Sequence, residues 1–151
     1  MPIAHPLVFA AVVACLVAGP GAAAPQLEGS FYAFWPQFRA AALAGDDRAL
    51  AALAADTIRL PGATDDAAAG SAPRARAGAI VRTALAQDSG IDPDHRVTNR
   101  EFVAATQRID RPFAPLIAIG GDGAQVGAFE FRHVAGRWLL TAVFVRTDEK
   151  E

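Results

Sequence analysis

The sequence predicts an α+β fold in which N-terminal helices pack on a curved antiparallel sheet that ends in a long C-terminal hairpin. Apolar side chains recur at helical spacing through much of residues 30–109, whereas residues 115–146 alternate apolar and polar side chains around glycine-containing turns. Helices therefore precede strands along the chain, and this order is typical of α+β proteins.

The first 24 residues are unlike the rest of the chain, because none of its 14 basic and 16 acidic side chains lies within them. Their apolar stretch, residues 7–18, is shorter than the roughly 20 residues of a membrane-spanning helix. Small residues at 22–24 fit a signal cleavage site. We expect residues 1–24 to be a removable export signal and residues 25–151 to form a single domain that is periplasmic or secreted.

Cys15, the only cysteine, supports an alternative. The run Val12-Val13-Ala14-Cys15 resembles the lipobox of bacterial lipoproteins, and lipidation there would give a lipid-anchored envelope protein. The apolar residues that continue past Cys15 favour soluble export, and an uncleaved anchor is a third alternative. After cleavage near residue 24 the domain has no cysteine, which excludes disulfides and thiolate chemistry.

The charge of the chain limits the partners that it can have. The formal net charge is −2, and the arginines of the domain are dispersed along it. Proteins that bind nucleic acid carry concentrated basic patches, so we expect no nucleic-acid partner. We also expect no membrane contact unless Cys15 is lipidated, which leaves a small apolar ligand or a periplasmic protein as candidate partners.

The first predicted helix begins at Ser30 and carries the largest side chains of the domain. One stripe holds Phe31, Phe34, Trp35, Phe38 and Ala42. Pro36 lies inside this helix and cannot donate to the Tyr32 carbonyl, so we expect a kink or a helix that begins near Trp35.

Three further helices and a short strand follow. One helix begins after Gly45, another spans residues 77–85, and the last begins with the capping box of Thr98 and Glu101 and continues through Ile109.

The strand is predicted at residues 57–60. Residues 61–73 after it are small and of low complexity, so they cannot form a core of their own. We expect them to form a mobile surface loop.

Two long strands, residues 124–134 and 137–146, are predicted around the two-residue loop Ala135-Gly136. Counting pairs from that loop assigns the side chains to two faces. The face that packs on the helices holds Phe129, Phe131, His133, Trp138, Leu140 and Ala142. The other face pairs Glu130 with Thr141.

Glu130, Arg132 and Thr141 are the candidate site residues, because two opposite charges two positions apart share one face with a hydroxyl opposite them. In a concave sheet they could orient a ligand within an apolar pocket. The alternative is a solvated ion pair worth at most about 1 kcal/mol. His133 beside Trp138 is either a ligand contact or a half-exposed packing residue.

The sequence predicts no metal and no cofactor, and it identifies no catalytic residue. Asp88, Asp92, Asp94 and His95 lie on one loop, but their spacing does not match a calcium loop. The glycines of residues 120–123 lack the Lys and hydroxyl of a phosphate loop. No serine has the context of a nucleophile elbow.

Two segments resemble known proteins. Phe34-Trp35-Pro36-Gln37-Phe38-Arg39-Ala40-Ala41 is similar to a Phe-Trp-x-x-Phe-Arg-x-Ala helix of small exported bacterial proteins of uncharacterised function.

Residues 129–140 resemble the terminal hairpin of the nuclear transport factor 2-like superfamily. This resemblance implies a cone of helices against a curved sheet with a pocket between them, in a superfamily of enzymes, binding modules and scaffolds. It also implies a second strand after residues 57–60, where this sequence predicts a loop. The Asp-His pair of the superfamily's isomerases and dehydratases has no matching position here.

We expect a non-enzymatic small-molecule-binding or protein-interaction module, because polar groups are few and the inner face is aromatic. One alternative is a small hydrolase or isomerase with Glu130 as base and Arg132 as its electrostatic partner, which an enclosed Glu130 would favour and an open one would oppose. Another is an inhibitor or immunity-type protein for an exported enzyme, with an apolar patch or the 61–73 loop as its contact surface.

Overall fold

A computed structural model describes residues 30–61 and 70–146. The helices in these residues are α1 (Phe31–Ala44), α2 (Asp47–Ala52), α3 (Ala77–Ala86) and α4 (Asn99–Ala105). The strands are β1 (Ala54–Leu60), β2 (Gly70–Pro73), β3 (Phe113–Ala114), β4 (Ile117–Gly120), β5 (Gly123–Val126), β6 (Phe129–Val134) and β7 (Arg137–Val143). The predicted export signal and Cys15 lie outside the described residues.

The strands form one sheet in the order β2-β1-β7-β6-β5-β4-β3. Neighbouring strands are antiparallel except β1 and β7, which are parallel. The predicted fold class is confirmed, because α1 and α2 lie at the N-terminal end of the described chain, the sheet is mostly antiparallel and β6 and β7 form a C-terminal hairpin. The parallel pair joins strands that are far apart in sequence, so local patterns do not reveal it.

The loop predicted at residues 61–73 is wrong in its last part. Gly70–Pro73 form β2, which is antiparallel to β1. Gly70 pairs with Leu60, and the pairing continues to Pro73 with Thr57. Strand pairing uses backbone groups, so small residues of low complexity can form an edge strand although they add little to the core. Residues 62–69 lie outside the described part of the chain.

Helix α1 begins before Pro36. Ser30 caps it by accepting a hydrogen bond from Tyr32 N at 3.1 Å, and the helix continues through Pro36 to Gly45, where φ is +67°. The expected start near Trp35 is therefore wrong. Tyr32 and Pro36 are exposed, so water can replace the N–H that Pro36 lacks.

The inner face of the sheet packs on α1 through aromatic rings. The centroid of the Phe131 ring lies 4.8 Å from that of Phe38 and 5.2 Å from that of Phe31. Phe38 also contacts Phe129 at 5.3 Å, and Phe31 contacts Trp138 at 5.0 Å. These five side chains are at most 7% exposed. The predicted aromatic stripe is confirmed. The predicted inner face is confirmed except for Ala142, which pairs with Glu130 of the other face, while Val143 pairs with Phe129. Side chains fill the space between α1 and the sheet.

Two side chains of α1 bind the end of α4. Trp35 Nε1 donates to the Thr106 carbonyl at 2.7 Å. Arg39 donates from Nε to the Val103 carbonyl at 3.0 Å and from Nη2 to the Ala104 carbonyl at 2.6 Å. Carbonyls at a helix end have no partner within the helix, so these donors satisfy them. The Trp and Arg of the Phe-Trp-x-x-Phe-Arg segment therefore link two helices.

The link is reciprocal, because Arg100 of α4 donates from Nη2 to the Leu43 carbonyl near the end of α1 at 2.9 Å. We call Trp35, Arg39, Arg100 and the carbonyls that they bind the α1–α4 junction. Helix α4 ends at Ala105 and not beyond Ile109 as predicted. The side chains of α1 occupy the carbonyls that a further helical turn would use.

The predicted strand at residues 124–134 is divided. A turn at Gly127 and Ala128 separates β5 from β6. The last strand is shorter than predicted and ends at Val143.

The pairing of β6 with β7 is as predicted from the turn up to Phe131 and Leu140, but Glu130 then pairs with Ala142. Thr141 is therefore the extra residue of a β-bulge, which sequence counting cannot foresee. The predicted pair of Glu130 with Thr141 is wrong.

Candidate functional site

The predicted site residues Glu130 and Arg132 lie side by side on the face of the sheet away from the helices. Arg132 Nε is 3.4 Å from Glu130 Oε1. The same oxygen accepts a hydrogen bond of 2.7 Å from Nη2 of Arg59, a residue of β1 that the sequence did not predict at this site. Ala142 of β7 pairs with both Arg59 and Glu130, and this register brings the charges together.

Thr141, the third predicted site residue, does not bind the carboxylate. Its Oγ1 donates to the Glu130 carbonyl oxygen at 3.3 Å. Glu130 and Arg132 line a shallow depression of about 340 Å³ that also includes Phe113, and Thr141 is not part of this lining. The side chains of Arg59 and Arg132 are 58% and 52% exposed, whereas that of Glu130 is 18% exposed. Ion pairs with exposed partners contribute at most about 1 kcal/mol.

His133 packs its ring against Trp138, with 5.4 Å between the centroids. Its Nε2 is buried and has no hydrogen-bond partner in the described part of the chain. The backbone N–H of His133 donates to the Asp122 carbonyl at 2.7 Å. The residue is half-buried at the edge of the aromatic core.

The acidic loop at residues 88–95 is organised by its own turns. Asp92 accepts hydrogen bonds from the N–H groups of Asp94 and His95 at 2.9 and 3.2 Å, and His95 Nδ1 lies 3.2 Å from its other oxygen. The contact with Asp94, followed by those with His95, lowers the pKa of Asp92. Within residues 30–61 and 70–146, no group of three or more His, Cys, Asp or Glu side chains is arranged to hold a metal ion.

A separate cleft of about 250 Å³ lies where the end of α3 faces the chain that follows β7. We call it the α3–β7 cleft. Its lining includes residues 87–89, 145 and 146, which we call the walls, and Asn99 and Gly127, which we call the floor. Leu116 and Phe144, which are more exposed than the floor, we call the rim.

Hydrogen bonds hold the walls of the α3–β7 cleft in place. The side-chain amide of Gln87 donates to the Arg146 carbonyl at 2.7 Å and accepts from the Arg146 N–H at 2.9 Å. Asn99 N donates to the Gln87 carbonyl, and Phe144 N donates to the Ala128 carbonyl, both at 2.8 Å. These bonds tie the walls to each other and to the sheet, so the cleft is preformed.

Asn99 is a buried polar residue at the floor of this cleft, with 4% of its surface exposed. It lies within the predicted capping box, directly after Thr98, and the box is confirmed by the reciprocal bonds of Thr98 and Glu101. Asn99 Nδ2 donates to the Ala84 carbonyl at 2.9 Å. Gly127 has φ +55°, and a Cβ there would lie 3.1 Å from the Phe102 ring and 3.4 Å from Asn99 Oδ1. Its backbone conformation and the close approach of Phe102 both favour glycine at this position.

Leu116 and Phe144 give the cleft an apolar rim, and each of them is 36% exposed. The lining also includes two ionisable side chains, Asp88 and Arg146. Asp88 Oδ1 accepts a hydrogen bond of 2.8 Å from Gly90 N, which is turn chemistry. The arrangement supports binding by shape, apolar contact and amide hydrogen bonds, and it does not resemble the paired acid and base of a catalytic site.

The α3–β7 cleft could not be predicted from sequence patterns, because its lining comes from segments that are distant in sequence. One local signal exists. Leu116 follows Pro115 in the turn between β3 and β4, at a position where a turn with positive φ usually has Gly or Asn. A bulky residue is unusual at such a position.

No protein-family model, curated protein or solved structure matches this chain at a significant level. In the described ranges, none of the helices has the length and apolar character needed to cross a membrane.

Proposed function

We propose that the protein is a non-enzymatic module that binds a small molecule in the α3–β7 cleft. The observation that carries this proposal is a cleft of about 250 Å³ that combines the buried amide of Asn99 with exposed apolar side chains at Leu116 and Phe144. Ligand sites in proteins are concave and largely apolar, with a few fixed polar groups that orient the ligand.

The contacts of Glu130 favour binding over catalysis. A general base needs a carboxylate oxygen that can approach a substrate proton. Glu130 Oε1 is already shared by the guanidinium groups of Arg59 and Arg132, and the depression beside it is shallow. These features give the hydrolase or isomerase alternative less support than the binding module.

The proposal includes a nuclear transport factor 2-like cone as the fold family. Three features support it: α1 and α2 precede the first strand, β2 is a second strand directly after β1, and β6 and β7 form the terminal hairpin.

The proposal also includes export, which the uncharged segment at residues 1–24 supports. Mass spectrometry of the protein from cells should find an unmodified chain that begins near Ala24 or Pro25. A lipidated chain that begins at Cys15 would contradict soluble export.

Thermal-shift screening of the purified protein against small neutral molecules tests the binding proposal. A ligand at 100 times its Kd adds about 2.7 kcal/mol to the free energy of unfolding and raises the melting temperature. Ser89→Phe places a ring at the cleft wall and should abolish the shift. The matched control Ser71→Phe, on the exposed strand β2, should retain it.

The proposal is wrong if no compound stabilises the protein. It is also wrong if the stabilising compounds bind Ser89→Phe as tightly as the wild type.

A further inference from the structure

The rim of the α3–β7 cleft holds a leucine that its turn does not require. Ala114 of β3 pairs with Ile117 of β4, so Pro115 and Leu116 form a two-residue turn, in which Leu116 has φ +59°. Glycine or asparagine adopts this conformation with little strain, whereas a bulky side chain is strained there. The turn alone would be more stable with another residue.

Two features hold Leu116 in this conformation. The ring of Pro115 fixes the preceding φ, and the Leu116 carbonyl accepts a hydrogen bond of 2.7 Å from Gly127 N. Gly127 lines the same cleft, so the bond fixes the rim to the floor. Strain that a structure retains in this way is a reason to look for a function of the strained residue.

Phe144 is the second large apolar side chain of the rim. It is as exposed as Leu116, at 36%, and its backbone is held by the bond from its N–H to the Ala128 carbonyl. A ligand that covers both side chains removes apolar surface from water, which contributes directly to binding.

The remaining lining favours a neutral ligand. Asp88 and Arg146 contribute one charge of each sign. The other polar side chains are the amides of Gln87, Asn99 and Gln125 and the hydroxyl of Ser89. Amides both donate and accept hydrogen bonds, so they can pair with a neutral polar group. A charged ligand would be buried without a matching excess of opposite charge.

We propose that Leu116 and Phe144 form an apolar clamp that selects neutral amphiphilic small molecules. The apolar part of the ligand lies at the rim, and its polar part reaches the amides of Asn99 and Gln125. This inference rests on the proposed binding function and adds to it the class of ligand and the side chains that select it.

Fluorescence titration with two related probes tests the clamp. N-phenyl-1-naphthylamine is neutral, and 1-anilinonaphthalene-8-sulfonate has a similar ring system with one negative charge. The wild type should bind the neutral probe at least about tenfold more tightly than the anionic one, because Asp88 and Arg146 give the lining no net charge to offset the desolvation of the sulfonate.

Leu116→Asn keeps a residue that tolerates positive φ, and Phe144→Ser removes the second ring. Each should raise the Kd of the neutral probe about tenfold, as expected when a partly buried apolar contact is lost. The controls Val134→Ser and Ile91→Ser remove exposed apolar side chains that are 48% and 38% exposed and lie outside the cleft lining. Both controls should bind the probe like the wild type.

Three outcomes would overturn the clamp. If the neutral probe binds both rim variants like the wild type while Ser89→Phe blocks it, the cleft binds ligands but Leu116 and Phe144 do not select them. If the anionic probe binds more tightly, the ligand class is wrong. If the wild type binds neither probe and no screened compound, the clamp and the proposed function both fail.

Discussion

The α1–α4 junction and the rim of the α3–β7 cleft use large side chains in opposite ways. In the junction, Trp35 is fully buried, and its Nε1 and the Nε and Nη2 of Arg39 donate to backbone carbonyls. At the rim, Leu116 has a strained φ of +59°, and both it and Phe144 remain 36% exposed. The junction stabilises the fold by its own contacts, whereas the rim leaves apolar surface exposed, which we propose a ligand covers.

Replacing Trp35 should have the largest effect on stability. Trp35→Ala removes a buried ring and leaves the Thr106 carbonyl without its donor. We expect the free energy of unfolding to fall by about 3–5 kcal/mol, measured by urea denaturation.

The control for this variant is Tyr32→Ala in the same helix, where the ring is 43% exposed. It should change the free energy of unfolding by less than about 0.5 kcal/mol. Equal losses in the two variants would mean that the junction does not stabilise the fold as described.

Replacing Arg39 should have the next largest effect. Arg39→Ala removes the charged donor that binds the Val103 and Ala104 carbonyls at the end of α4. We expect a loss of about 1.5–3 kcal/mol in urea denaturation, since hydrogen bonds from charged groups are worth this much. Arg137→Ala, at an exposed position beside the β6–β7 turn, should leave the free energy of unfolding nearly unchanged. If Arg39→Ala leaves the free energy of unfolding unchanged, the role assigned to this side chain is wrong.

A substitution at the rim should have little effect on stability. In Leu116→Asn, relief of backbone strain stabilises the fold by on the order of 1–3 kcal/mol. Removal of a partly buried apolar side chain destabilises it by a similar amount, so the two effects offset each other. We expect the unfolding free energy to stay within about 1 kcal/mol of the wild type.

Leu140→Ala provides the contrast, because Leu140 is fully buried in the inner face of the sheet. This variant should lower the free energy of unfolding by about 2–5 kcal/mol. If Leu116→Asn is as destabilising as Leu140→Ala, the rim is part of the core and the contrast with the junction is wrong.

The smallest effect concerns the pH dependence of the cap of α4. The backbone N–H of Thr98, followed by its hydroxyl, lowers the pKa of Glu101 below its ordinary value of 4.5. A folded-state pKa below the unfolded one adds stability above the unfolded pKa, and this stability is lost as the pH falls through the folded pKa.

Glu101→Gln should therefore be less stable than the wild type at pH 7, and this difference should shrink by pH 3. Urea midpoints at the two pH values measure it. An unchanged difference would mean that the carboxylate charge does not contribute to the cap.

Local patterns predicted the parts of the fold that depend on near neighbours. The aromatic stripe of α1 and the capping box at Thr98 follow from spacings of three and four residues, and both are confirmed. The two-residue turn before Arg137 likewise fixed the register of the hairpin as far as Leu140. These features require no knowledge of distant segments.

The candidate sites depend on distant segments, which explains the errors. Arg59 reaches Glu130 because β1 and β7 are parallel neighbours, and the bulge at Thr141 ends the register that counting predicts. The α3–β7 cleft is assembled from the end of α3, the start of α4, several turns and strands of the sheet and the chain after β7. Within this set, the leucine that follows Pro115 was the feature closest to a sequence signal. Its positive φ is visible only in the structure.

The contrast between junction and rim is tested most directly by urea denaturation of the wild type and the double variant Leu116→Asn, Phe144→Ser, each with and without N-phenyl-1-naphthylamine. Without the probe, the two midpoints should nearly coincide, because the rim is not needed for folding. Saturating probe should raise the midpoint of the wild type and leave that of the double variant unchanged. A double variant that is strongly destabilised without the probe, or that the probe stabilises as much as the wild type, would contradict the assignment of the rim to ligand binding.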